Sequence, residues 1–316
     1  MRLLIVTNMY PTPEDMSFGT FVGEQVTALE KRGFEVDVLF INGRKNKLNY
    51  LWGVFRLWKK MLTRRYDLLH AHYVLAGVIA RCQLLRPVVM SFHGAGEMEG
   101  WQGWLCRRVA PLVDGATVTS RRHHAHLGLK DARVVPCGAD MDLFRPASQA
   151  EARQQLGLPL DGKLPIFVGD PRPEKRVPLI EEAVGRLTAN DSSVRLIKAS
   201  GVPHDQIPVW MNAADVLVLA SDWEGSPVVI KEAMACNLPV VTVDVGDTAE
   251  VVDGVAGCWV AEQSAKDLAD KISLALAFEG EPGGREAISK MSLDHTIDGV
   301  ITLYEDVLHR KGGRPA

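Results

Sequence analysis

The chain has 316 residues, of which 47% are hydrophobic and 24% charged, with a net charge of −3. Such totals exclude a mainly disordered chain and leave room for two domains, each with its own core. Five scattered cysteines with no C-x-x-C pair exclude a disulfide or zinc framework, and no run of about 18 apolar residues is present to span a bilayer.

The charge is unevenly spread. Residues 1–150 carry 20 Lys and Arg against 13 Asp and Glu, whereas 151–316 carry 16 against 26. The halves therefore balance at +7 and −10, as expected of two domains that meet different partners. The apolar run that opens the chain is too short for a signal peptide, and the cysteines read as reduced thiols, so the expected location is the cytoplasm.

In chain order, Arg2–Thr7, Glu35–Ile41, Asp67–His70, Pro87–Phe92, Ala116–Thr119 and Arg133–Val135 read as buried strands. Phe21–Lys31, Leu48–Thr63, Val74–Leu84 and Trp101–Leu112 have helical spacing between them. This alternation predicts a doubly wound parallel sheet, in which ligands bind at the carboxyl ends of strands. Two such ends carry polar residues of interest: the loop Ser17-Phe-Gly-Thr-Phe21, where Gly19 opens a helix, and Ser91-Phe-His-Gly94, which places His93. His72 reads as structural, and His123, His124 and His126 read as a basic helix surface.

Residues 44–65 hold eight basic side chains and no acidic one, interleaved with Leu51, Trp52, Phe55, Trp58 and Leu62. Two readings stand side by side: a helix lying in an anionic membrane interface, or one whose apolar face packs on its own sheet. Nucleic acid is not expected, because the second half is acidic and no recognition module is visible.

A connector from Val134 to Pro146 includes Asp140-Met-Asp142, whose D-x-D spelling is read as coincidental. A short helix around Glu151–Leu156 follows, then the strand Leu164–Gly169 and the charged stretch Asp170-Pro-Arg-Pro-Glu-Lys-Arg176. A strand near Val194 leads through a brief passage to the apolar run from Asp215 to Ala220. Glu224-Gly-Ser-Pro-Val-Val-Ile-Lys-Glu232 then reads as a turn entering a helix from Pro227 to Cys236. Ser226 is the expected N-cap, and Asn237 the left-handed residue that ends the helix. Gly225 leaves the positive end of that helix open to an anion. A strand from Pro239 to Asp244, a short helix opened by Val245–Thr248, and a last helix around Ile297–His309 close the chain.

Two glutamates eight apart, Gly after the first and Ala-Met-Ala after the second, resemble the E-x7-E signature of retaining glycosyltransferases with the GT-B fold, family four. The connector is similar to the family's V-P-N-G-V-D…F-x-P, with Cys137 in place of Asn. No G-x-G-x-x-G follows the first strand, which argues against an ordinary dehydrogenase. The resemblance implies two Rossmann-like doubly wound α/β domains facing across a cleft. The expected bounds are 1–145 on the acceptor side, 146–292 for the nucleotide-sugar, and a helix in 293–316 returning to the first domain.

By the same resemblance, Glu232 binds the ribose hydroxyls of a nucleotide-sugar and Glu224 lies against the transferred sugar. Gly225, Ser226, Pro227 and Val228 form the donor-binding turn. Gly169 and Lys175 match the diphosphate loop; Asp170 stands where the family has Arg, so Arg172 is the expected substitute. His93 matches the T-x-H-G histidine that positions the sugar, Gly19 approaches the donor phosphates, and Lys198 lines the base end. His93, Glu224, Arg172 and Lys175 are thus the expected catalytic set. No cofactor or metal is implied. The implied partners are a nucleotide-sugar donor and a glycan, lipid-linked or small-molecule acceptor; peripheral contact with an anionic membrane through 44–65 is one of the two readings of that stretch's own residues. A sugar epimerase or phosphorylase, or a non-catalytic nucleotide-sugar-binding subunit, stands as the alternative.

Overall fold

The computed structural model describes residues 1–16, 18–94 and 100–312; Ser17 of the loop read above lies outside them. Contacts divide the chain into one unit formed by residues 1–136 with the C-terminal segment from 293, and a second formed by 137–292. Residues 137–145, which the sequence places with the first domain, pack in the second unit. The Arg285 guanidinium donates to the carbonyls of Met141 at 2.8 Å and Phe144 at 2.7 Å, and the Phe144 ring is fully buried there.

In the first unit six strands alternate with helices: β1 (Arg2–Thr7), α1 (Thr20–Lys31), β2 (Glu35–Phe40), α2 (Asn49–Thr63), β3 (Leu68–His72) and α3 (Val74–Ala80). Then come β4 (Val88–Phe92), α4 (Gly100–Val109), β5 (Gly115–Val118), α5 (Arg121–Leu127) and β6 (Ala132–Val134). The strands pair in parallel in the order β2-β1-β3-β4-β5-β6. Successive side chains of a strand point to opposite faces, so β1 serves two cores. Leu4 and Val6 pack with Leu57, Ile79 and Cys106 beneath α2, α3 and α4. Leu3 and Ile5 pack with Val22, Val26 and Leu29 of α1 and with the C-terminal helix α13 (Leu293–Arg310) through Ile297, Leu303 and Val307.

The second unit contains α6 (Gln149–Leu156), β7 (Pro165–Val168), α7 (Val177–Thr188), β8 (Ile197–Ala199), α8 (Ile207–Ala213) and β9 (Val216–Leu219). It continues with α9 (Val228–Ala235), β10 (Val240–Val243), α10 (Thr248–Val252), β11 (Cys258–Ala261), α11 (Ala265–Leu276) and the short α12 (Gly284–Ala287). Its five strands are also parallel, in the order β11-β10-β9-β7-β8. Chain order therefore reverses between β7 and β9, and the loops leaving their carboxyl ends lie at that reversal. That is where open α/β sheets hold ligands.

A polar line crosses the centre of the first unit. His70 on β3 is fully buried; its Nδ1 lies 2.6 Å from Tyr304 Oη of α13, and its Nε2 2.7 Å from Ser91 Oγ of β4. Ser91 Oγ continues to Thr117 Oγ1 of β5 at 2.7 Å. Burial pushes the His70 imidazole down to about 3, with nearby His93 adding to the effect. His72 and His93 are likewise pushed well below their ordinary range, chiefly by burial. Below about pH 6.5 the unfolded chain takes up protons that these folded rings refuse, down to about pH 3 in the case of His70, so stability rises with pH across that window. Acidification from pH 7 to 5 is expected to lower urea-unfolding stability by on the order of 1 kcal/mol per unit for each such ring. A stability unchanged between those pH values would contradict three imidazoles held neutral.

Candidate active site

The loop that leaves β7 carries Gly169, Asp170, Arg172, Glu174, Lys175 and Arg176; the loop that leaves β9 carries Asp222, Glu224 and Gly225. The two loops meet at the reversal of strand order. Lys175 Nζ donates to Glu224 Oε1 at 2.6 Å, and the side chains are 15% and 14% exposed. A second tie runs from Arg176 Nη1 to Asp222 Oδ1 at 2.9 Å, and a third from the Asp222 amide to the Glu174 carbonyl at 2.8 Å. Arg176 adopts a left-handed backbone, with φ of 51°, which opens α7 and turns its side chain back to Asp222.

Helix α9 begins at the end of the second loop. Pro227, not Ser226, occupies the N-cap position, and no side chain caps the helix. The Ser226 hydroxyl instead donates to Asp247 Oδ2 at 2.6 Å. Pro227 has extended backbone angles and Val228 begins the helix, so free amides of the first turn follow directly on Gly225. The helix ends as expected: Asn237 has φ of 55°, and the Leu238 amide bonds the Ala233 carbonyl at 2.9 Å. Glu232 sits in the second turn, buried, with Oε1 2.7 Å from His204 Nε2. The His204 ring lies 5.2 Å from that of Phe144.

Other expected residues take different places. Arg172 pairs with Glu174 at 3.1 Å, and Lys198 on β8 pairs with Glu181 of α7, both as exposed pairs. Gly169 has φ of 127°, and its carbonyl accepts from Ser200 Oγ at 2.8 Å. In the connector, Asp140 Oδ1 accepts the amides of Asp142 at 2.9 Å and Leu143 at 3.0 Å, so the first D-x-D carboxylate serves a turn. Among the described residues no group of three or more His, Cys, Asp or Glu is placed to hold a metal.

In the first unit His93 follows β4 and Gly19 precedes α1. His93 Nε2 is 2.8 Å from His72 Nδ1, and the two rings are stacked with centroids 5.1 Å apart. Phe21 and Tyr73 flank the same ring at 4.8 and 5.0 Å. Gly19 has φ of 76°, and a Cβ there would stand 2.6 Å from the Met9 carbonyl carbon, so the loop after β1 lies directly on it. His123 is a correction: it is buried, not part of a basic surface. Its Nδ1 lies 3.3 Å from Thr119 Oγ1, and burial pushes its imidazole down to about 4.

Lys231 escaped the sequence reading altogether. It is fully buried, its ammonium bonds Ser226 Oγ, and it lies 3.1 Å from Asp247 Oδ2. A lysine just before a helical glutamate reads as solvated; only the loop after β10, sixteen residues on, shows otherwise. Gly246 brings that loop in, with φ of 61° and room for no side chain: a Cβ would lie 2.7 Å from the Gly225 carbonyl oxygen.

Two family models match the chain, Glycosyltransferase Family 4 over residues 18–143 and Glycosyl transferases group 1 over 165–277. Among curated relatives, the D-inositol 3-phosphate glycosyltransferase of Nocardiopsis dassonvillei is 25% identical over 81% of this chain and 74% of its own length. The namesake from Mycolicibacterium smegmatis is 28% identical over 76% of this chain and 67% of its own. Among solved structures, the sucrose-phosphate synthase of Thermosynechococcus elongatus has a TM-score of 0.83 at 20% identity, covering 98% of this chain and 99% of that one. Anabaena HepE in complex with UDP has a TM-score of 0.72 at 17% identity, covering 96% and 99%. Those likenesses establish the GT-B class of two Rossmann-like α/β domains. The two models taken together, with these relatives, show the chain to be a glycosyltransferase of the family 4 type.

The close approach at Gly246 yields a direct test. Gly246→Ala forces a β-carbon into the Gly225 carbonyl at a left-handed position, and is expected to cost about 2–4 kcal/mol, since both overpacking and backbone strain are imposed. Urea unfolding checks it; a loss under about 0.5 kcal/mol, the range of neutral surface changes, would contradict the contact.

Proposed function

We propose that the second unit binds a nucleoside-diphosphate sugar at the β7/β9 reversal and that its sugar passes, with retention, to an acceptor hydroxyl. The observation that carries this reading is the Lys175–Glu224 pair at the open end of α9, with Glu232 one turn deeper in the same helix. On this reading Lys175, the first-turn amides of α9 at Val228, and the open backbone at Gly225 hold the diphosphate. An ammonium and a helix N-terminus both stabilise the charge that grows on the departing oxygen. Glu224 lies against the transferred sugar and Glu232 takes the ribose hydroxyls. Gly169 lets the first loop approach the diphosphate closely, while Arg172 and Lys198, exposed and paired with carboxylates, assist only if their partners release them.

In the transfer, the bond from the anomeric carbon to the diphosphate oxygen breaks, and the acceptor oxygen bonds that carbon on the same face. The acceptor proton passes to the leaving diphosphate oxygen, so no enzyme nucleophile is needed and Glu224 orients the sugar. His93 and Gly19 belong to the acceptor-bearing first unit, where a neutral, partly buried His93 offers a hydrogen bond without charge. HepE was solved with UDP, and with UDP and glucose, which supports a uridine diphosphate-sugar as the first donor to test. The named activity of the curated relatives makes a phosphorylated cyclitol a first acceptor to test.

The basic helix supports a peripheral role at an anionic membrane. α2 buries Gly53 and Leu57 and packs Tyr50, Val54 and Met61 against the core, but turns a second set of apolar side chains outward: Trp52 is 63% exposed, Phe55 68% and Leu62 82%. Trp101 and Trp104 of α4 are exposed as well, with Arg108 over the Trp104 ring. The alternative, an aromatic stripe packed on its own sheet, does not describe Trp52 and Phe55. Among the described residues no helix is long and apolar enough to cross a membrane. This combination suits a lipid-linked acceptor in glycan, glycolipid or cell-surface polysaccharide synthesis.

Glu232→Gln is expected to weaken UDP binding about tenfold or more, because a carboxylate accepting hydroxyls is replaced by a neutral amide. Calorimetric titration decides it, and unchanged affinity would remove Glu232 from the ribose site. Sedimentation with phosphatidylcholine vesicles, with and without phosphatidylglycerol, tests the membrane role. Binding should need the anionic lipid and fall when Trp52 and Phe55 are changed to Ser; the absence of lipid-dependent binding would end the idea.

A further inference from the structure

Besides Arg176–Asp222 at the start of the loop, two ion pairs flank the turn that carries Glu224, and they differ in access. Lys175–Glu224 is partly exposed, and on the donor reading above it is the pair that meets the diphosphate. Its lysine cannot serve the diphosphate fully while it serves Glu224, so donor binding weakens this tie just when the turn must stay in place. Lys231–Asp247 lies on the inner side of the same turn, with the lysine side chain 0% and the aspartate 8% exposed. Ser226 joins the two: it accepts from the Lys231 ammonium and donates to Asp247 Oδ2. Beside it, Gly246 presses its backbone on the carbonyls of Gly225 and Glu224. A buried ammonium is tolerated only with its counter-charge, so the lysine, the serine and the aspartate stay together or all come apart.

We propose that Lys231, Ser226 and Asp247 form a buried clamp that keeps residues 224–227 in register while the donor diphosphate draws Lys175 from Glu224. This rests on the donor site argued above and deepens it: Lys231 and Asp247 are positioning residues for sugar transfer, acting through Glu224. Lys231 immediately precedes Glu232, so the same helical turn that buries the clamp also carries the residue assigned to the ribose. The clamp thereby fixes the spacing between the sugar end and the ribose end of one ligand.

The test opens each tie separately and needs no ligand. Glu224→Gln removes the outer pair; Lys231→Met with Asp247→Asn removes the inner pair without leaving an unmatched charge. Amide hydrogen exchange is read over residues 222–230, with β9 as reference. Either change alone is expected to speed exchange of the turn by less than about threefold, and the two together by about tenfold or more, with β9 unchanged. A combined variant that exchanges like Glu224→Gln, or a β9 that accelerates equally, would overturn the clamp. Should the inner pair's replacement fail to fold, Ser226→Ala in the Glu224→Gln background makes the same comparison. A purely structural role is separated by kinetics: the Lys231→Met, Asp247→Asn protein should lose kcat with little change in donor KM, and unchanged kcat overturns the positioning role. Thermal shift of the unaltered protein with UDP, GDP and ADP runs alongside. No shift with any of them overturns the donor reading and the role in transfer, whereas unchanged exchange overturns the clamp.

Discussion

The ion pair between Lys175 and Glu224 is the contact on which the catalytic account depends, and sheet topology creates it. Because β7 and β9 are neighbours at the reversal of strand order, a cation from one loop and a carboxylate from the other meet above the strand ends. Neither residue is fully buried, so the pair contributes modestly to stability, and its significance lies in what it can exchange for. A diphosphate brings two negative groups to a lysine that holds one carboxylate. On the proposed reading the free amides at the start of α9 add to that attraction, and the resting pair marks where the anion and its sugar would sit.

Around this point the second unit concentrates buried polar groups that a sheet of Val, Leu and Ile would otherwise exclude. Lys231, Asp247 and Ser226 lie inside the turn, and Glu232 with His204 lies one helical turn deeper. The first unit does the same with imidazoles: His70 within β3, His72 at its end and His93 just after β4 are held neutral chiefly because burial disfavours their charge. In the second unit these polar residues gather at the carboxyl ends of the strands, whereas in the first His70, Ser91 and Thr117 carry polar groups into the sheet itself.

Much of this was legible from the sequence because it rests on local rules. The periodicity of apolar runs located the strands of the first sheet, and Pro227 and Asn237 bracketed the signature helix within a residue or two. What was not legible depends on distant partners. Lys231 is buried because Asp247 meets it from another loop, and Ser226 is drawn to that carboxylate instead of capping its own helix. Residues 137–145 join the second unit because Arg285, far along the chain, binds their carbonyls. β11 is a half-exposed edge strand whose Cys258–Ala261 lacks a long apolar run, so neither it nor α11 stood out. The aromatic stripe of α2 was ambiguous for a related reason: periodicity shows that a face is apolar, but not whether the protein or something else covers it.

The central claim, that Lys175 at the β7/β9 reversal holds the donor's diphosphate, is tested most directly by comparing a nucleoside diphosphate with its monophosphate. Calorimetry of UDP and UMP on the unaltered protein and on Lys175→Met isolates the interaction of that ammonium with the second phosphate. The account predicts that UDP binds the unaltered protein about tenfold or more tightly than UMP, and that Lys175→Met removes most of this advantage. An advantage of UDP over UMP that survives the substitution intact would contradict it.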